Sequence, residues 1–300
     1  MTSVWARPLA MLFGLAIAFG SATASAHEFW VEPSTFGLER GGPVGIRLCV
    51  GDGFEGWSLA RNAQRIEKFV AAGPAGEQPI VGLDGSDPAG FARLTAPGDY
   101  VITYRSNRAF TELPAAKFDE YVKQKGLEKI VALRKWRGAS RKTVREAYSR
   151  HSKALIRVGD AEGSVIDRPM GLRLELVAEP DLSRAPDGEL RSFRLLHDGK
   201  PLAGALVSAT RPGTTDGDLQ VRTGADGRAS FRLREPGMWR VAAVHLIEPP
   251  RDVAADWESL WASLTFELPS EPSNAARDTG AARKTACQNR IATAAMQARS

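Results

Sequence analysis

His27 follows the small residues Ala24-Ser25-Ala26, and at that place a histidine can do chemistry that an internal one cannot. A cut after Ala26 makes it the first residue of the mature chain. Its free α-amine and its imidazole Nδ1 could then chelate one metal ion in a single ring. A second imidazole would complete a three-nitrogen set, and imidazole suits Ni, Cu, Zn and Fe(II). Three candidates exist: His245 in "AVHLIEP" at the end of a strand pattern, His151 in "YSRHSKAL" on a helical pattern, and His197 in the turn "HDGK". His197 ranks last because a turn of that kind is exposed. Glu28 and Glu32 flank the amine and could add a carboxylate. Against this, the chain has only four histidines, no two at metal-ligand spacing, and no histidine-rich loop. A lone strand histidine is otherwise a residue satisfied by ordinary hydrogen bonds.

Other chemistry is hard to find. The sequence has no Gly-x-Ser-x-Gly elbow, no His-Glu-x-x-His, no phosphate-cradling Gly-Lys-Ser/Thr loop and no cysteine beside a plausible base. The expectation is a protein that is not an enzyme, with no catalytic residues. A copper-dependent oxidase built on an N-terminal histidine is the one enzymatic alternative.

The residues ahead of His27 read as a leader. Arg7 gives a positive start, Leu9 to Phe19 is almost wholly apolar, and the Ala-Ser-Ala triplet offers a cleavage site. A membrane span needs about 20 apolar residues, and no later run approaches that length. Residues 1–26 are therefore expected to be a signal peptide, and the product periplasmic or secreted with no transmembrane segment after cleavage.

Cleavage would leave 274 residues, a length that suits two domains. Of the formal charge of +5, the leader carries +1 through Arg7 and residues 271–300 carry +3, which leaves +1 over residues 27–270. A nucleic-acid binder concentrates Lys and Arg on its folded face, so no nucleic-acid partner is expected. The two cysteines, Cys49 and Cys287, could pair in an oxidising compartment, or Cys49 could be buried and Cys287 left free. The sequence leaves both open.

The elements that must position these residues are mostly strands. "GGPVGIRLCVGD", "RIEKFVAAGPAG" and "PGDYVITYRSN" are β-branched or alternating runs closed by Gly, Pro, Asp and Asn. Residues 53–57 read as a surface loop. From Pro114 the pattern changes, with Phe118, Tyr121, Val122, Ile130, Leu133 and Trp136 at three- and four-residue intervals and Gly126 and Gly138 as breaks. That predicts two short helices, and "RKTVREAYSRHSKALIRVG" continues the helical reading to about residue 154. Beyond Pro169 the runs are strand-like again, with Asp198-Gly199 and Asp226-Gly227 as tight turns. "ADWESLWASLTFELP" predicts a helical turn feeding a last strand, and residues 270–300 lack apolar periodicity, which predicts disorder. The fold class is mainly β: two β-sandwich (immunoglobulin/transthyretin-like) domains at residues 27–168 and 169–269, the first with a helical insertion at about 114–154.

"AHEFWVEPSTF", "GDGFEGW", "YRSNRAFTELPAAKFDEYVKQKGLEKI", "YSRHSKALIRVG", "GKPLAGALV", "DGR" and "AVHLIEP…DWESLWASLTFEL", taken in order from His27 to Leu268, resemble the DUF4198 family. Its members are exported proteins often described as periplasmic components of nickel or cobalt uptake. The resemblance implies a transition metal ion (Ni, Co or Cu) as cargo, a membrane metal-transport complex as partner, and His245 as the histidine that joins His27. It also implies that an aromatic residue is usual where His151 stands. The metal candidates are thus His27 and His245, followed by His151 and Glu28. The alternative from a different class is an adhesion or scaffold protein of β-sandwich modules that binds no metal.

Overall fold

The computed structural model describes residues 27–159, 168–182, 190–214, 218–269 and 286–288. The expected signal peptide and most of residues 270–300 lie outside them. The chain opens on β1 (Glu28–Pro33), β2 (Gly37–Leu38) and β3 (Gly42–Asp52), then turns back into β4 (Glu55–Leu59). There follow β5 (Ile66–Gly73), β6 (Gly76–Pro79), β7 (Gly90–Leu94), β8 (Gly98–Ser106) and β9 (Ala109–Leu113). Two helices, α1 (Ala115–Gln124) and α2 (Glu128–Trp136), precede the long strand β10 (Val144–Val158). Then come β11 (Leu174–Ala178), β12 (Leu190–His197), β13 (Lys200–Pro201), β14 (Leu206–Thr210), β15 (Leu219–Arg222) and β16 (Arg228–Arg232). The last elements are β17 (Gly237–Ile247), β18 (Trp257–Leu268) and β19 (Cys287–Gln288). The fold is mainly β.

Three sheets form. The first runs β1-β3-β4-β19 with β7 on β3. The second has ten strands, β15-β14-β17-β18-β10-β8-β5-β6, with β2 and β9 on β10. The third runs β11-β12-β13 with β16 on β12. The boundary expected at residues 168 and 169 does not divide these sheets. β5, β6 and β8 from one side of it and β14, β15, β17 and β18 from the other belong to the same ten-stranded sheet.

That central sheet is covered on both faces. β10 gives Ala154, Ile156 and Val158 to the core it shares with Trp30, Val44 and Ile46 of the first sheet. Its Leu155 goes to the opposite core, with Leu174, Leu176 and Phe193 of the third. β17 divides likewise, Met238 to one side and Trp239, Val241 and Ala243 to the other. Side chains alternate across a strand, so this sorting makes a three-layer stack. Each layer buries apolar surface that the central sheet alone would leave in water.

Double coverage also explains two of three departures from the sequence expectations. Residues 144–154, expected to be helical, are strand: β10 pairs in parallel with β18 from Glu146 opposite Trp257 to Ala154 opposite Thr265. A strand buried on both faces loses the period-two signal and cannot be told from a buried helix by periodicity. The same holds for Trp257–Trp261, expected as a helical turn and observed as the start of β18. Residues 53–57 are not a loose loop. Gly53 and Phe54 both take positive φ (57° and 62°) in a two-residue turn, and Phe54 is fully buried against Trp30, 5.2 Å between ring centroids.

The helices form where the spacing predicted them. Phe118, Tyr121 and Val122 of α1 pack on Val244, Leu246 and Trp257, and Gly126 at φ 70° ends α1 in the left-handed conformation that glycine adopts without cost. Residues 270–300, expected to be without structure, hold one described strand: Cys287 lies opposite Gly56 in a parallel pairing of β19 with β4. Cys287 is bonded to Cys49, with Cα atoms 5.8 Å apart, so the pairing that the sequence left open is made.

Candidate functional site

β1 runs antiparallel to β3 with Glu28 opposite Gly51, which carries His27 past the end of the ladder to the level of Asp52. The hairpin from β3 to β4 is tight enough that a Cβ on Gly51 or Gly56 would run into the facing backbone. Glycine at both positions brings Trp57, opposite Val50, up beside His27. His27 Nδ1 stands 3.0 Å from Asp52 Oδ2, and its ring packs edge-on to Trp57 with centroids 5.5 Å apart. The His27 side chain is 29% exposed and that of Asp52 65%, so the pair opens to solvent.

Glu28 points the other way, into the layer between the first and central sheets. One oxygen accepts from Lys125 Nζ at 2.7 Å and the other from Arg240 Nη2. Arg240 is fully buried, its guanidinium carbon 5.3 Å from the Trp30 ring centre and 4.8 Å from that of Phe54. Burial alone would raise the Glu28 pKa, but Arg240 and Lys125 outweigh it and hold the carboxyl below its ordinary value. Both oxygens of this candidate ligand are therefore taken up by cations.

His245 does not join His27. It lies on β17 five residues beyond Arg240, a rise of about 17 Å at ~3.4 Å per residue, and odd-numbered residues of β17 face the third sheet. Glu28 and Arg240 occupy the face towards the first sheet, so the central sheet itself separates the two candidates. The partner of His245 is His197, ring centroids 4.9 Å apart. Burial, with His197 nearby, lowers the His245 pKa to about 4. His151 is 1% exposed on the same side of the central sheet. Burial first, then Arg173 and Arg105, push its pKa down to about 3. Among the described residues no three His, Cys, Asp or Glu side chains are grouped so as to hold a metal ion.

The sequence reading missed Asp52. It lies 25 positions from His27, and only the antiparallel register of β1 on β3 joins the two. At this distance the two make a hydrogen bond or ion pair, and an imidazole nitrogen and a carboxylate oxygen are also atoms of the kind that ligate metal ions. With the α-amine of a freed His27 this makes three donors, two nitrogens and one oxygen.

A family model described as "Domain of unknown function (DUF4198)" matches residues 24–247. Among solved structures, the D0-D1 domain of Intimin is similar at 13% identity, covering 80% of this chain and 97% of that one, with a TM-score of 0.19. The D00-D0 domain of Intimin is similar at 12% identity, covering 81% and 100%, with a TM-score of 0.18. No curated protein matches. No helix among the described residues is long and apolar enough to cross a membrane.

Proposed function

The chain belongs to the DUF4198 family, and from that premise we propose that it is an exported protein that binds a transition metal ion at its mature amino terminus, in the service of nickel or cobalt uptake. The observation that carries this reading is the 3.0 Å approach of His27 Nδ1 to Asp52 Oδ2. Cleavage after Ala26 supplies the α-amine, and amine plus Nδ1 close a chelate ring on the same residue. Asp52 takes the place that the sequence reading gave to His245. Nitrogen donors favour Ni, Co, Cu and Zn over Mg or Ca, and the exposure of Asp52 leaves the ion within reach of a membrane transport complex. Trp57 covers one side of the imidazole and limits its rotation.

The test is calorimetric titration of Ni, Co, Cu and Zn into protein whose first residue is verified as His27 by intact mass. One-to-one binding is expected, abolished by His27→Ala or by one extra residue ahead of His27. Asp52→Asn should weaken it about tenfold or more, in the range that loss of a charged partner at a metal site brings. His245→Ala should leave it unchanged. Absence of binding, or binding that survives a blocked terminus, overturns the reading and favours a β scaffold without metal.

A further inference from the structure

On the face of the central sheet that looks away from the first sheet, a cavity of about 260 Å³ lies between Ser149 and His151 of β10, Ser106 of β8, and the side chains of Arg105, Arg108 and Arg173. The cavity has a cause in the ladder. β10 pairs with β9 over Val144–Tyr148 and with β8 over Leu155–Val158. Ser149–Ala154 between them has no register partner on that side. The strands part there, and Arg150 N spans to Ser106 Oγ at 3.0 Å instead of to a backbone carbonyl. β5 is irregular at the same level, its register shifting between Ile66 and Lys68, and this shift turns Glu67 to the cavity rim.

The floor of this cavity is polar and unsatisfied. Ser149 is 5% and His151 1% exposed; the Ser149 hydroxyl has no hydrogen bond among the described residues, and the His151 ring has no well-formed one, only a weak contact to the Trp261 backbone. Buried polar atoms in native proteins are nearly always paired, so a cluster of exceptions asks for a missing partner. Three arginines stand at the mouth. Arg108 Nε and Arg173 Nη1 share the buried Glu258 at 2.8 and 2.6 Å, and Arg105 Nε holds Glu67 at 2.8 Å. Arg173 also lies 3.7 Å from the exposed Asp198. The three guanidinium groups thus meet Glu67 and Glu258 at the cavity and Asp198 beside it, so the fixed charges balance, and each guanidinium carries more N–H donors than these pairs use. Burial first, and then Arg173 and Arg105, keep His151 neutral, so the ring carries one N–H.

We propose that this cavity binds a small oxyanion, of the carboxylate or phosphate type, which accepts hydrogen bonds from Ser149 and His151 at the floor and from the guanidinium groups of Arg105 and Arg173 at the mouth. A neutral histidine, a serine hydroxyl and a guanidinium supply converging donors, and charge-assisted bonds from arginine to an oxyanion are the strong ones. This site is on the other side of the central sheet from His27 and acts independently of the metal.

Inorganic phosphate and acetate, titrated separately into the full mature chain in a chloride buffer free of oxyanions, test this. The readouts are the His151 ring resonances, assigned by their loss in His151→Phe, and calorimetry. A saturable one-to-one shift of His151 is expected with at least one of them. A preference for phosphate identifies a tetrahedral dianion, and a preference for acetate a carboxylate. Arg173→Gln should weaken binding about tenfold or more, as loss of a charge-assisted bond does. Ser149→Ala, which removes only a hydroxyl, should weaken it several-fold with the fold intact. No saturable shift with either anion, or affinities unchanged in Ser149→Ala, overturns the proposal and leaves a cavity that holds water alone.

Discussion

Lys125, the residue that closes α1, donates to Glu28 Oε1 at 2.7 Å and so fastens the helical insertion to the first strand. The ammonium also lies 5.8 Å from the centre of the Trp261 ring, which screens it from water. Glu28 carries Arg240 as well, and Arg240 reaches no other carboxylate among the described residues. The carboxyl is thus the single anion that compensates a fully buried guanidinium. Removing one partner of a buried pair leaves the other charge desolvated and unpaired, which costs about 3–5 kcal/mol. Glu28→Gln should lower the free energy of unfolding by about that amount in urea titrations. Glu28→Leu combined with Arg240→Met should recover part of the loss, because the fully buried guanidinium goes together with its carboxylate and only the partly exposed Lys125 ammonium loses its partner. If Glu28→Gln is as stable as the parent, the pair is not the keystone of this layer.

The bond between Cys49 and Cys287 closes a loop of 238 residues, nearly the whole mature chain. Loop-closure entropy for so long a loop reaches about 5 kcal/mol, while native disulfides contribute about 2–4 in practice. Cys49 and Cys287 are both buried, and the bond holds β19 against β4. Cys287→Ala should therefore lower stability by about 2–5 kcal/mol. Reductant should lower the melting temperature of the parent protein and leave that of the variant where it is.

Acid should unfold this protein through its histidines. In the unfolded chain both His151 and His245 take up a proton near pH 6.5, whereas in the fold they do so only at about 3 and about 4. Between those values the unfolded state binds more protons, so stability is complete above about pH 6.5 and is lost as the pH falls. Glu28, held below its ordinary value, acts in the same direction at lower pH. Glu146 acts against it: burial raises its pKa despite hydrogen bonds from Ser259 and Tyr121, so it favours the fold at lower pH. Two histidines give a slope approaching about 2.7 kcal/mol per pH unit near pH 5, at about 1.4 per proton. His245→Gln should reduce the slope of unfolding free energy against pH by about one proton there. An unchanged slope would mean that His245 is protonated in the fold.

What could be read from the sequence followed from how many neighbours a segment has. β3, β5 and β8 were visible because their ends are marked by Gly, Pro and Asp. The Asp198-Gly199 turn was visible because both residues need positive φ, 47° and 75°, which few other pairs accept. α1 and α2 were visible because only one side of each is buried. β10 and the start of β18 were not, because burial on both faces puts Ser, His and Lys into positions where a pattern reader expects Leu or Val. Lys153, 1% exposed, is there because Glu175 of β11 meets it at 3.1 Å, a partner 22 residues away. The family resemblance was legible from motifs along the chain, yet the site was half legible. His27 stood out through the cleavage pattern, whereas Asp52 reaches it only through the register of β1 on β3, and Arg105, Arg108 and Arg173 come to His151 from separate parts of the chain.

Two hydroxyls also tie the first sheet to the central one. Ser152 Oγ accepts from Val31 N at 2.9 Å and bonds Ser263 Oγ at 2.7 Å, while Thr265 Oγ1 donates to Val31 O at 2.6 Å. Val31 thus has its N–H and its C=O both met from the sheet below, although its opposite number on β3 is Leu48. All these groups are buried, so no water can replace a lost bond. Ser152→Ala leaves the Val31 N–H without this acceptor, and an unsatisfied buried donor costs about 1–3 kcal/mol. The substitution should lower unfolding free energy by that amount and speed hydrogen exchange at the Val31 amide. Thr265→Val removes the donor to Val31 O at nearly constant shape and should act in the same direction, while Thr265→Ser, which keeps the hydroxyl, should retain more of the stability. If the Val31 amide exchanges at its original rate in Ser152→Ala, it is Leu48 and the ladder of the first sheet that protect it, and the clasp between the layers is left to apolar packing and the Glu28–Arg240 pair.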